Sequence, residues 1–261
     1  MDYTLNIHGR LQSLSEPHVM GILNATPDSF YAASRQQTDE AVAERVRQIV
    51  AEGACFIDVG ACSTRPGSAP VSEAEETARL RRVLPIVRRE AGSAVVSVDT
   101  FRPAVACMAV EEYGVDMVND VSPSEPMFRM VSRLRVPYII MSQEADIERM
   151  LLTFARQVQQ LRDMGQKDII IDPGFGFGKS LEQNFSIMNR LERLQVLELP
   201  LLVGVSRKSM IYKTLETTPE EALNGTTAMN TVALLKGADI LRVHDVAAAV
   251  ECVKLNRRLT V

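Results

Sequence analysis

The amino-acid sequence predicts an α/β protein that folds as a single (β/α)8 barrel, the TIM barrel. Eight short apolar runs alternate along the 261-residue chain with eight stretches whose apolar residues recur at helical spacing. Each run is rich in valine and isoleucine and apolar on both faces, as parallel strands covered by helices are. Eight such units in about 250 residues suit the barrel, and an open, doubly wound sheet is the alternative.

The strands are predicted at residues 19–24, 55–59, 94–99, 115–119, 137–141, 168–172, 200–205 and 238–243. The helices fill the intervals, near residues 39–52, 73–91, 103–113, 125–135, 145–164, 181–197, 219–236 and 246–258. Five helices end at a glycine, which readily takes the left-handed conformation of a helix C-terminus: Gly53, Gly92, Gly114, Gly165 and Gly237. Pro103 begins the third helix, where proline is tolerated.

Residues 1–18 precede the first predicted strand, and we expect this N-terminal extension to form a hairpin-like cover over the bottom of the barrel. No linker, repeat or low-complexity segment interrupts the sequence. We therefore expect residues 1–261 to form one domain.

Composition excludes several classes of function. A net charge of −4 argues against general binding to nucleic acids or membrane surfaces. The four cysteines include no C-x-x-C pair, so structural zinc is not expected and the thiols should be reduced. The N-terminus lacks the basic and apolar runs of a signal peptide, and no apolar stretch reaches about 18 residues. We expect a cytoplasmic protein.

Polar side chains follow seven of the eight predicted strands, at the end where (β/α)8 enzymes carry their chemistry. One polar residue after a strand is usually a helix cap or turn residue, but seven such positions indicate a site. The candidates are Asn24, Asp58, Arg65, Asp99, Asn119, Asp172, Lys208, Ser209, Arg242 and His244. The basic side chains suit a phosphate or carboxylate ligand, and Asn24 offers a neutral oxygen that Mg²⁺ accepts.

Residues 172–179 read Asp-Pro-Gly-Phe-Gly-Phe-Gly-Lys and follow a predicted buried strand. An aspartate at the end of the strand is thus followed directly by a glycine-rich loop. The glycines let the backbone approach a flat ligand, with Phe175 and Phe177 available as walls. A P-loop needs glycine where Pro173 stands, and a dinucleotide-binding fingerprint starting at Gly174 needs glycine at Lys179. We interpret the segment as a ligand-binding loop of another kind.

Seven segments resemble, in order, the motifs of the dihydropteroate synthase family. They are residues 20–30, 58–67, 97–100, 119–122, 172–179, 204–209 and 242–246. The resemblance implies a transferase of folate biosynthesis that joins 6-hydroxymethyl-7,8-dihydropterin pyrophosphate to p-aminobenzoate, giving 7,8-dihydropteroate and pyrophosphate. It also implies a Mg²⁺ cofactor, a homodimer and a target of sulfonamides.

The resemblance assigns roles residue by residue. The pterin would bind Asp99, Asn119, Asp172 and Lys208, and the p-aminobenzoate would bind Thr64, Arg65, Pro66, Phe177 and Ser209. The pyrophosphate would bind Asn24, Arg65, Arg242 and His244, with Asn24 also binding Mg²⁺. The catalytic residues that it implies are Asp99, Asp172, Lys208, Arg242 and His244. Catalysis would consist mostly of stabilising the leaving pyrophosphate and a pterin cation, without a protein nucleophile.

Some segments depart from the family pattern. Residues 31–35 lack the glycines usual there, and Ala61-Cys62 replaces a glycine and a glutamate. The fifth strand ends in residues 141–144, Met-Ser-Gln-Glu, where a longer, histidine-containing segment is usual, so we expect Met141 and its neighbours to form a wall of the pterin pocket. Two alternatives stay open: a pterin-binding methyltransferase domain and a non-catalytic pterin-binding paralogue.

Overall fold

The computed structural model of the chain describes residues 3–25, 35–62 and 71–259. Eight strands pair in parallel: β3 (His18–Asn24), β4 (Phe56–Gly60), β5 (Val95–Asp99), β6 (Met117–Asp120), β7 (Tyr138–Met141), β8 (Ile169–Asp172), β9 (Leu202–Val203) and β10 (Ile240–Val243). Their order is β8-β7-β6-β5-β4-β3-β10-β9, and a parallel bridge joins Ile171 of β8 to Leu201 ahead of β9. This bridge closes the sheet, so the predicted (β/α)8 barrel is confirmed and the open-sheet alternative is wrong.

The N-terminal extension forms an antiparallel hairpin of β1 (Thr4–Ile7) and β2 (Arg10–Ser13). Its buried side chains, Leu5 and Ile7 with Leu14 beyond β2, share one apolar cluster with residues near the starts of the barrel strands. Those residues are Met20, Phe56, Val95, Met117, Ile139, Ile170, Leu202 and Ile240. The predicted cover over the barrel bottom is therefore confirmed, and it plugs that end with apolar side chains.

Helices cover the outside of the sheet. They are α1 (Arg35–Ala51), α2 (Glu73–Glu90), α3 (Pro103–Tyr113), α4 (Glu125–Leu134), α5 (Ile147–Asp163), α6 (Leu181–Asn189), α7 (Ser209–Tyr212), α8 (Leu223–Leu235) and α9 (Val246–Leu259). The five glycines predicted at helix ends all have positive φ, and Pro103 lies in the first turn of α3. No helix in the described ranges is long and apolar enough to cross a membrane.

Two predicted helices differ from the observed ones because of contacts with distant residues. The stretch 181–197 divides into α6 and a 3-10 helix, Leu191–Leu197. The carbonyl of Asn189, at the division, accepts from Lys236 Nζ at 2.8 Å instead of continuing the helical ladder. The helix predicted to start at 219 starts at Leu223, and the carbonyl of Pro219 accepts from Arg207 Nη1 at 2.8 Å.

Candidate active site at the barrel mouth

The barrel interior changes from apolar to polar along the strands. Side chains two residues apart on a strand share a face, so Phe56, Asp58 and Gly60 of β4 all point inward. Phe56 belongs to the apolar cluster at the bottom, and the next inward residue is a buried acid. On β10, Ile240 of the same cluster is followed inward by Arg242. A polar layer thus begins directly above the apolar plug and faces the mouth of the barrel.

Arg242 lies between two carboxylates of this layer. Its Nε donates to Asp58 Oδ2 at 2.6 Å, and its Nη2 donates to Asp99 Oδ2 at 2.8 Å. Burial opposes the guanidinium charge, but the two carboxylates outweigh it and raise the pKa of Arg242. Burial raises the pKa of Asp99 to about 7, opposed by Arg242 and assisted by the negative charge of Asp58. One cation therefore faces two acids, and Asp99 gains or loses a proton near neutral pH.

Asn119 joins this network from β6. Its Nδ2 donates to Asp58 Oδ2 at 2.9 Å, the oxygen that also accepts from Arg242. Asn119 Oδ1, Asp58 Oδ1 and Ser97 Oγ are buried and have no hydrogen-bond partner among the residues that the structure describes. Because buried polar atoms are nearly always bonded in native proteins, these oxygens indicate where the polar groups of a ligand or ordered water belong.

Asp172 and Lys208 form a second charged pair in the mouth. Asp172 Oδ1 accepts from the backbone N–H of Gly174 at 2.8 Å, and burial raises the pKa of Asp172 while the charge of Lys208 opposes that shift. Burial lowers the pKa of Lys208 to about 8, although Asp172 favours the ammonium. Lys208 Nζ donates to the carbonyl of Phe175 and lies 4.9 Å from the centre of the Phe177 ring.

Gly204 lies beside both Arg242 and Lys208 in the mouth. A Cβ placed on Gly204 would lie 3.7 Å from Arg242 Cβ and 3.9 Å from Lys208 Nζ. Because glycine has no side chain, space remains beside these two cations. The negative charges of Asp172 and Asp99 act on both Lys208 and Arg242. This arrangement can bind a polar, partly anionic molecule whose ring carries hydrogen-bond donors and acceptors.

The glycine-rich loop after β8 is held by Lys179. Its Nζ donates to the carbonyls of Ser142 at 3.0 Å, Gly174 at 2.9 Å and Phe177 at 3.2 Å. Phe177 faces Lys208, as a pocket wall should, but Phe175 is fully buried in the core between sheet and helices. The interpretation of Phe175 as a wall is therefore wrong, because the turn directs its ring away from the mouth.

Asn24 ends β3 and pairs in register with Gly60 of β4. A Cβ on Gly60 would lie 3.9 Å from Asn24 Oδ1 and 3.6 Å from Asp99 Oδ2. The amide oxygen and the carboxylate thus border one small space at the rim. The described residues contain no group of three His, Cys, Asp or Glu side chains that could hold a metal ion.

The segments after β9 and β10 are joined to each other. The N–H of His244 donates to Ser206 Oγ at 3.1 Å, and its carbonyl accepts from Arg45 Nη2 at 2.6 Å. Arg207 forms a two-pronged ion pair with Asp245, at 2.8 and 2.9 Å. Arg207 therefore supports the loop, while Lys208, its neighbour in sequence, points into the mouth.

The structure brings together most of the predicted site residues on the strands. Asp99, Asn119 and Arg242 share one network, and Asp172 and Lys208 lie beside it. Thr64, Arg65 and Pro66 lie outside the described residues, as does the segment 26–34. Ser209 begins the short helix α7, and His244 follows β10 at the rim.

The sequence places Asp58 among the candidate site residues but assigns no ligand contact to it, and it assigns no role to Lys179. A signal for Asp58 was available, because it is an acid in an inward-facing position of an apolar strand, paired with Ser97 and one inward position below Asp99. No local pattern points to Lys179, whose three partners are carbonyls of two different loops.

Comparison with known proteins places this chain in a family. The model of the family described as "Pterin binding enzyme" matches residues 20–244. A dihydropteroate synthase of Clostridium beijerinckii is 39% identical over 88% of this chain and 89% of its own length, and that of Escherichia coli K12 is 37% identical over 95% and 93%.

The solved structures that this chain resembles are also dihydropteroate synthases. The Xanthomonas albilineans dihydropteroate synthase with 4-aminobenzoic acid superposes with a TM-score of 0.91 at 35% identity, covering 100% of this chain and 99% of that one. The same enzyme in complex with 7,8-dihydropteroate gives a TM-score of 0.87 at 34% identity, with 99% of each chain covered. The Yersinia pestis enzyme in a sulfonamide drug complex gives 0.86 at 33% identity, covering 100% and 99%.

Proposed function

The chain belongs to the pterin-binding enzyme family, and we propose that it is a dihydropteroate synthase. As such it is a transferase that condenses 6-hydroxymethyl-7,8-dihydropterin pyrophosphate with p-aminobenzoate. The observation that carries the proposal is the buried polar layer of Asp58, Asp99, Asn119 and Arg242, with Asp172 beside it. Relatives that are similar to this chain along most of their length support the same reaction.

The pterin ring would lie above this layer. Its ring N–H and amino groups are donors, and the acids Asp99 and Asp172 with the buried Asn119 Oδ1 supply acceptors. Lys208 supplies a donor for ring nitrogen or oxygen. A buried acceptor that loses its partner costs about 1–3 kcal/mol, so a ring without matching donors would bind poorly.

The leaving pyrophosphate would meet the positive side of the site. Arg242 and His244 reach the mouth from the end of the eighth barrel strand, and Arg65 is proposed to join them from the segment 63–70. Charge accumulates on the pyrophosphate as its bond to the pterin methylene breaks. Fixed cations in a site shielded from water stabilise that charge, and no protein nucleophile is required.

The residues at the rim fit Mg²⁺ that is bound chiefly through the substrate. Asn24 offers one neutral amide oxygen, and Mg²⁺ commonly combines one or two protein oxygens with phosphate oxygens and water. Asn24 would hold the ion beside the pyrophosphate, and the ion would neutralise part of the leaving-group charge. Asp99 Oδ2 borders the same space, but Arg242 holds it. Asp99 would therefore serve the pterin and not the ion.

The p-aminobenzoate would enter over Phe177. The aromatic ring can pack against the Phe177 ring, and the backbone at Ser209 and the side chains of Thr64, Arg65 and Pro66 would complete the pocket. Its amine would attack the electron-poor methylene carbon once pyrophosphate has begun to leave. A sulfonamide drug with the same para-substituted aniline ring would compete for this pocket.

The direct test is an assay of the purified protein with both substrates and Mg²⁺. We expect equal amounts of 7,8-dihydropteroate and pyrophosphate, and no release without Mg²⁺. Pterin binding without Mg²⁺-dependent release would instead identify a non-catalytic paralogue. Transfer of a methyl group to a corrinoid protein would identify the methyltransferase alternative.

Asp172→Ala tests the pterin assignment within that function. We expect the dissociation constant for the pterin substrate to rise at least tenfold, because about 1.4 kcal/mol corresponds to a factor of ten. Asp163→Ala, at the exposed end of α5, is the matched control and should leave binding unchanged. If the folded Asp172→Ala variant binds the pterin substrate as tightly as the unmodified protein does, Asp172 does not bind the pterin.

We also propose that residues 1–261 act as one domain, that the protein is cytoplasmic, and that two copies associate. Two-fold association is the commonest assembly of such enzymes. Light scattering combined with size-exclusion chromatography would give the mass in solution, and a single cooperative unfolding transition is expected for one domain. A monomer at assay concentrations would contradict the homodimer.

A further inference from the structure

Asp58 is a fully buried acid of the barrel mouth, and the proposed reaction gives it no substrate contact. Its Oδ2 accepts from the amide of Asn119 and from the guanidinium of Arg242, at 2.9 and 2.6 Å. The three residues come from β4, β6 and β10, so one oxygen joins three separate strands. This convergence suggests a role in orienting its partners.

We propose that Asp58 is a positioning residue that fixes which face Asn119 and Arg242 present to the pterin substrate. The proposal rests on the proposed function, in which Asn119 binds the pterin ring and Arg242 the pyrophosphate. Asp58 acts through these two side chains and touches neither part of the substrate itself.

The orientation of the Asn119 amide follows from hydrogen-bond chemistry. A carboxylate accepts and does not donate, so the Asn119 amide binds it through its NH₂ group. That bond leaves Oδ1 turned the other way, buried and without a partner in the described parts of the chain. Asn119 therefore offers the ligand an acceptor, and the site selects a ring that carries an N–H donor at that place.

Arg242 is oriented through two of its N–H donors. Nε is engaged by Asp58 and Nη2 by Asp99, which fixes the plane of the guanidinium. Charge-assisted bonds of this kind are directional as well as strong. The same acid thus sets the orientation of the group that reads the ring and of the group that faces the leaving anion.

Asp116 offers a matched control at the opposite end of the barrel. It is buried, and its Oδ2 accepts from Arg88 Nη1 at 2.8 Å and from the N–H of Val96 at 2.8 Å. Asp116→Asn removes a buried acid with similar partners far from the mouth. It should change stability without changing the affinity for the pterin.

The experiment combines Asp58→Asn with Asn119→Ala in a double-mutant cycle. We expect Asp58→Asn alone to raise the dissociation constant for the free pterin alcohol at least tenfold, because the amide of Asn119 can then turn its NH₂ toward the ring. In the Asn119→Ala background the same substitution should change it less than about threefold, since coupled residues are not additive. Equal effects in both backgrounds would overturn the proposal.

A second measurement needs no ligand. In ¹⁵N spectra of the free protein, the Asn119 side-chain NH₂ signals, identified by their loss in Asn119→Ala, should be shifted and slow to exchange with solvent. Asp58→Asn should remove both properties, and Asp116→Asn should keep them. Unchanged Asn119 signals in Asp58→Asn would overturn the positioning role even if pterin binds, whereas a protein that shows the expected signals and binds no pterin would refute the proposed function alone.

Discussion

Gly174 tests whether the glycine-rich loop is as tightly placed as its contacts indicate. Gly174 has φ +67°, and a Cβ at this position would overlap the carbonyl oxygen of Ser142 and lie 2.9 Å from Met141 Cγ. Gly178, in the same loop, has φ +62° and nothing within 4 Å of its added Cβ. The two alanine variants therefore share a conformational cost and differ in steric cost.

The magnitudes follow from these two contributions. A residue with a Cβ in the left-handed region costs roughly 1–2 kcal/mol, which is the whole effect expected for Gly178→Ala. Forcing additional atoms into a packed region costs a further 1–3 kcal/mol or so, which applies to Gly174→Ala. In a chain of this size each kcal/mol lowers the melting temperature by roughly 2–4 °C. Gly174→Ala should therefore melt about 2–12 °C below Gly178→Ala.

The assay is thermal unfolding of both variants followed by circular dichroism, with pterin titration of each folded protein. We expect Gly174→Ala to weaken pterin binding as well, because the Gly174 N–H holds Asp172 Oδ1. Equal melting temperatures would show that the loop relaxes freely around an added methyl group. That result would refute the argument that the short segment after β7 and the loop after β8 are packed as one unit.

Two further predictions concern charge. Burial lowers the pKa of Lys208 to about 8 and raises that of Asp99 to about 7, so pterin affinity should fall as Lys208 loses its proton above about pH 8 and as Asp99 gains one below about pH 7. Titration across this range should show the alkaline limb vanish in Lys208→Gln and the acidic limb vanish in Asp99→Asn. Arg207→Gln should reduce the free energy of unfolding in urea by about 1–3 kcal/mol, because Asp245 and the carbonyl of Pro219 lose their donor. Arg207→Lys should recover little, since an ammonium lacks the two-pronged geometry, and full recovery would contradict it.

Much of the fold was predictable because its signals are local. All eight barrel strands appear where apolar runs predicted them, although the strand at 200–205 is observed over Leu202–Val203. Helix ends that depend on distant side chains were not predictable. The break after Asn189 involves Lys236, 47 residues later, and no pattern near position 189 reveals that partner.

The site was predictable to the extent that strand alternation determines it. Asp99, Asn119 and Arg242 are inward-facing by period alone, and the structure brings them together. Their pairing was not predictable, because Arg242 meets Asp58 across 184 residues of sequence. The sequence supplies the residues of the polar layer, but closure of the barrel decides which acid each donor meets.

The short segment after β7 affects how well the pterin pocket is covered. Met141 packs against Gly174, and the Ser142 carbonyl accepts from Lys179, so this segment is bound to the loop after β8. The buried polar groups proposed to read the pterin lie on or directly beside the strands, which hold side chains more exactly than loops do. A missing loop histidine therefore removes cover from the pterin pocket but leaves its hydrogen-bonding groups in place. Loss of cover should slow turnover by admitting water, while the selection of the ring persists.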